Sequence, residues 1–73
     1  MAELCNFCRI VNLKKTVGEY HLGDGRILRC GPFAPGLSIN KTTPFRKEFI
    51  TPHLSIMEKK GVIRFENVKD SEV

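Results

Sequence analysis

The sequence predicts a small α+β fold: a mostly antiparallel β-sheet or partly open β-barrel, with one short helix near the C-terminus. Three observations predict it. Two short runs with strand alternation flank Gly23-Asp24-Gly25, which is hairpin punctuation. Thr51-Pro52 and Gly61 bracket a stretch with helical start and stop chemistry. The length of 73 residues and mass of 8.3 kDa allow a single domain over 1–73. By area scaling, such a chain hides only about 62% of its extended surface.

The first strand is expected from about Phe7 to Leu13. Phe7, Val11 and Leu13 share one parity and are read as its core face, with Arg9 intruding, while Asn6, Asn12 and Lys14 share the other with Cys8 and Ile10. Residues 14–18 are polar, end in glycine and connect to the next strand.

The hairpin fixes its own register. A three-residue loop of Gly23-Asp24-Gly25, with Gly25 left-handed, sets Leu22 against Arg26 and Tyr20 against Leu28. Tyr20, Leu22, Leu28 and Cys30 then share one face, and Glu19 opposes Arg29 on the other. A two-residue loop would place Arg29 among the apolar side chains, so separation of the faces favours three.

Gly31-Pro32-Phe33-Ala34-Pro35-Gly36 is rich in breakers and should cross the surface or cover a sheet edge. Phe33 within it is read first as a plug over the core and second as a contact for a partner. Leu37-Ser38-Ile39-Asn40 is the candidate for a short strand, and residues 42–49 are expected to be irregular and exposed. In the last third, Thr51 serves as N-cap, Pro52 takes the first helical position, and the helix runs to about Lys60 before Gly61 ends it. Leu54, Ile56 and Met57 form its docking face, because so short a helix cannot stand alone. A final strand over 62–65 puts Ile63 and Phe65 on one face, and 69–73 is a polar tail.

Composition narrows the function. No apolar stretch approaches the roughly 20 residues of a membrane span, and Met-Ala-Glu-Leu-Cys-Asn lacks the pattern of a secretory leader. The expectation is therefore a chain made in a cytoplasm, without membrane partners. Three cysteines are read as reduced, packed thiols. The net charge of +4 leans toward anionic partners, although eight of the twelve basic residues fall in four separate pairs, Lys14 and Lys15, Arg26 and Arg29, Arg46 and Lys47, and Lys59 and Lys60, interrupted by acidic residues.

No catalytic residues are assigned, because Ser38, Ser55, Ser71, His21 and His53 lie in no nucleophile context and the carboxylates are scattered. Cys5-Asn6-Phe7-Cys8 has the gap of a zinc knuckle, and Cys30 with His21 or His53 would be needed to complete four ligands. With no second close pair and His21 facing away from Cys30, the cysteines are assigned no metal, and no cofactor is expected. Gly23-Asp24-Gly25 lacks the spacing and the lysine of a phosphate loop. For single-stranded nucleic acid, the exposed cluster would be Phe33, Phe45 and Phe49 with Arg46 and Lys47.

The chain resembles the short accessory structural proteins of tailed bacteriophages over residues 11–65. The resemblance is carried by Gly23-Asp24-Gly25-Arg26, the break at Cys30-Gly31-Pro32, and the closing Ile50-Thr51-Pro52-His53-Leu54 with Glu58-Lys59-Lys60-Gly61-Val62-Ile63. It implies a virion structural or assembly subunit in capsid, neck or tail, working by contact with other virion proteins and by self-association. The Cys5-x-x-Cys8 pair and the proline-rich middle depart from that pattern, and no residue role carries over. Cys5, Phe7, Arg9, Phe33 and Phe45 are the candidate contact residues, with the strand near Cys5 to Arg9 expected at a sheet edge open to a neighbouring chain. The alternatives are a small basic domain binding single-stranded nucleic acid and a zinc-stabilised adaptor.

Overall fold

Turn chemistry fixes the hairpin. In the computed structural model, which describes residues 4–34 and 36–73, β2 (Gly18–His21) and β3 (Ile27–Cys30) pair antiparallel, with Tyr20 opposite Leu28 and Glu19 opposite Arg29. Gly25 has φ of +92°, and the Leu22 amide donates to the Arg26 carbonyl at 2.8 Å, which closes the three-residue loop. The Arg29 Nε donates to Glu19 Oε2 at 2.8 Å on the exposed face. Tyr20, Leu22 and Cys30 are buried on the other.

The first strand, β1 (Phe7–Asn12), lies at the centre of a second sheet, between β4 (Phe45–Arg46) and β5 (Ile63–Val68), with both pairings antiparallel. Two expectations are corrected here. The N-terminal strand is flanked on both sides rather than standing at an edge, and β5 is an edge strand instead. The parity is also inverted: Cys8, Ile10 and Asn12 face the core, while Phe7, Arg9 and Val11 lie on the opposite face. Both parities carry apolar residues, and a polar Asn12 disguised the inner one.

Asn12 is 0% exposed because its amide is fully used. Its Nδ2 donates to the carbonyls of Thr16 and Gly31, both at 2.9 Å, and its Oδ1 accepts from the Lys14 amide at 3.0 Å. The side chain thus ties β1 to the turn that follows it and to the end of β3. The crossing segment is fastened in the same way. The Asn12 amide donates to the Asn40 carbonyl at 2.7 Å, and Asn40 Nδ2 donates back to the Asn12 carbonyl at 3.1 Å. Residues 37–40 therefore form turns rather than the expected strand, with one bridge between Val11 and Lys41. Pro35 and the first three residues lie outside the described ones.

Residues 42–49 are more ordered than their polarity implied. The Thr42 Oγ1 accepts from the Ile10 amide at 2.9 Å, and the Thr42 amide donates to the Ile10 carbonyl at 3.0 Å. Phe45 is carried into the core at 1% exposure, and a 3-10 turn spans Lys47–Phe49. Pro44 precedes β4, which lies at the sheet edge, where a missing donor is tolerated.

The helix α1 (Pro52–Lys59) starts at Thr51, whose Oγ1 accepts from the Leu54 amide at 3.2 Å. It ends at Gly61 with φ of +78°. There the Gly61 amide donates to the Glu58 carbonyl at 3.0 Å and the Val62 amide to the Met57 carbonyl at 3.3 Å, the paired bonds of a Schellman closure. Leu54 is buried and Met57 is half-buried against the core, but Ile56 turns outward at 50% exposure and does not dock. The final strand continues past Phe65 to Val68. The polar tail is part of the fold: the Asn6 amide and Nδ2 donate to the two carboxylate oxygens of Asp70 at 2.8 and 2.9 Å.

One core joins the two sheets and the helix, drawing Cys8, Ile10 and Phe45 from the first, Tyr20, Leu22 and Cys30 from the hairpin, and Leu54 and Ile63 from the helix and β5. The result is a small α+β fold with two antiparallel sheets. Its accessible surface of 4,988 Å² exceeds the roughly 4,600 Å² expected for this mass.

Candidate interaction surface

Strand alternation places three rows of side chains on the outer face of the three-stranded sheet. Val11 lies between Lys41 and Arg64, Arg9 lies opposite Glu66, and Phe7 lies between Arg46 and Val68. Val11 and Val68 are nevertheless buried, and Phe7 is half-buried. The crossing loop borders the Val11 end of the face. Phe33, Ala34, Gly36, Leu37 and Ser38 form one wall of an open groove of about 510 Å³, and Val11, Asn40, Lys41 and Arg64 complete it. Phe33 is 45% exposed and Leu37 61%, so two large apolar side chains stand in water at one site. The Phe33 amide donates to the Lys14 carbonyl at 2.8 Å, which holds the loop to the turn after β1.

Glu66 lies among three cations. Arg9 Nε is 3.1 Å from its Oε1, an ion pair not aligned as a hydrogen bond. Lys41 Nζ and Arg64 Nη2 approach Oε2 at 3.6 and 3.8 Å. Arg46, farther along the face, is paired with Glu48 at 3.0 Å.

The five residues expected to make contacts are thus dispersed. Arg9 and Phe7 share the outer face, and Phe33 stands at its end in the groove. Cys5 is half-buried ahead of β1, and Phe45 is enclosed in the core, where no partner can touch it without unfolding the sheet. The aromatic and basic cluster anticipated for nucleic acid does not assemble either, since Phe45 is buried and Phe49 is half-buried against the same core. Phe33 alone of the three is exposed. Leu37, Lys41 and Arg64 were missed by sequence reasoning. For Arg64 the signal was present: it alternates with Ile63 and Phe65, so it must face outward. Nothing local marked Leu37 or Lys41, because a turn and an isolated bridge bring them to the sheet.

The thiols of Cys8 and Cys30 are buried, and burial pushes both above the ordinary thiol range. His21 points to the other side of the hairpin, 3.5 Å from Glu19. Among the described residues, no three His, Cys, Asp or Glu side chains converge in a way that could hold a metal ion. No helix among them is long and apolar enough to cross a membrane.

No family model matches this chain, and neither a curated protein nor a solved structure matches it.

Proposed function

We propose that this chain is a small assembly subunit that works by protein contact rather than catalysis, using the outer face of its three-stranded sheet. The observation that carries this reading is the groove in which Phe33 and Leu37 stand exposed over a sheet that already has a complete core on its other side. A stable protein interface covers about 800 Å² per partner. That is about a sixth of the 4,988 Å² surface, so a partner seated in the groove would also cover much of the Arg9 and Phe7 rows. The resemblance to accessory structural proteins of tailed phages supports a virion as the place of assembly, with other virion proteins and further copies of the chain as partners.

Co-purification tests the reading. The chain should be recovered in purified particles, or should sediment with a virion protein or as an oligomer. A stable monomer that recovers no virion protein and is absent from particles would overturn it.

A second reading has one observation in its favour. The outer face carries Arg9, Lys41, Arg46 and Arg64 against Glu48 and Glu66, which adds a local basic field to the overall charge of +4. This supports salt-sensitive attraction to nucleic acid. With Phe33 the one ring of the anticipated cluster left exposed, the stacking platforms of a single-strand binder are not assembled.

A further inference from the structure

We infer that the groove receives an extended acidic segment of a partner protein, with one large apolar side chain of that segment seated between Phe33 and Leu37. This rests on the contact function proposed above and specifies the occupant. Charge complementarity beside exposed apolar side chains selects this occupant. Three cations share one carboxylate, which leaves a local excess of two positive charges around Glu66. The excess lies on the groove side. Arg9 makes the short contact, whereas Lys41 and Arg64 stand at 3.6 and 3.8 Å, beyond good hydrogen-bond distance, and both line the groove. Their donors can turn toward an incoming carboxylate at little cost, because the pairs they would loosen are long and partly exposed.

The opposite wall dictates the rest of the ligand. Phe33 and Leu37 offer exposed apolar surface to a leucine- or phenylalanine-sized side chain, and acidic residues on either side would lie against Lys41 and Arg64. A basic segment would meet like charge at both rim positions. A nucleic acid strand would find one exposed ring in the groove and an aliphatic wall beside it, a poor match for successive bases.

The test uses the full chain, immobilised, against a random linear-peptide library. Selected peptides should carry Asp or Glu on both sides of a large apolar residue. Binding of a selected peptide, followed by fluorescence anisotropy, should weaken at least about tenfold for Leu37→Glu and for the double variant Lys41→Gln/Arg64→Gln. It should be unchanged for Arg29→Gln on the hairpin. Leu37 is exposed, so Leu37→Glu leaves the core intact, and a melting curve for each variant checks this. Failure to select peptides, selection without acidic enrichment, affinity indifferent to both groove variants, or tighter binding of oligothymidylate at the same residues would each overturn the inference. If association with particles persists in Leu37→Glu, the acidic-segment inference falls while the contact function stands.

Discussion

The Tyr20 side chain is held protonated by its burial in the core. Its ring packs so closely over Gly18 that a Cβ there would lie 2.6 Å from Cζ, and its hydroxyl has no hydrogen-bond partner among the described residues. Burial, reinforced by Cys30, pushes its pKa up to about 12. Cys8 and Cys30 are raised for the same leading reason. The folded chain therefore keeps protons that the unfolded chain releases near pH 9 to 10. Stability from these groups is fully present below that range and is lost as pH rises toward about 12. Urea midpoints measured from neutral to alkaline pH should fall across this window, and Tyr20→Phe should flatten the upper part of the fall. A midpoint flat to pH 12 would mean that Tyr20 is solvated. Neither the Gly18 contact nor the role of Asn12 could be read from the sequence: one is a clearance between a glycine and a ring two residues on, and the other joins local bonds to Lys14 and Thr16 with one to Gly31, distant along the chain.

At the scale of elements, what the sequence made legible was what carries its own punctuation. The hairpin register followed from Gly25 and the separation of faces, and the helix ends followed from Thr51, Pro52 and Gly61. Thr51→Ala should cost about 1 kcal/mol in urea unfolding through the bond lost to Leu54. Gly61→Val should cost more, because a β-branched residue is strained at φ of +78°. Equal and negligible costs would contradict the observed caps. Elements defined by tertiary pairing were not legible. β4 is two residues long and exists because Phe45 completes the core beside Cys8, and the faces of β1 were inverted because Phe7 and Val11 are as apolar as Cys8 and Ile10. Ile56 was assigned to the docking face from its neighbours, yet Leu54 and Met57 cover the core without it.

For the whole molecule, the inverted parity of β1 sets the composition of the outer face: it turns Arg9 and Phe7 outward, onto the same face as Arg64 and Glu66. The crossing loop then adds Phe33 and Leu37 at one end, and a sheet that would otherwise be a polar solvent face becomes a basic surface with an apolar groove. Of this surface, Phe7, Arg9 and Phe33 were legible as candidate contacts, while Leu37 and Lys41 come from a segment whose placement depends on Asn40 bonding to Asn12. Hydroxyl-radical footprinting of the proposed assembly against the free chain tests contact through this face most directly. Phe33 and Leu37 should be oxidised readily in the free chain and protected in the assembly, while exposed Ile27 and Ile56 stay reactive in both. Equal oxidation of Phe33 and Leu37 in the two states, or protection confined to Ile27 or Ile56, would contradict the account.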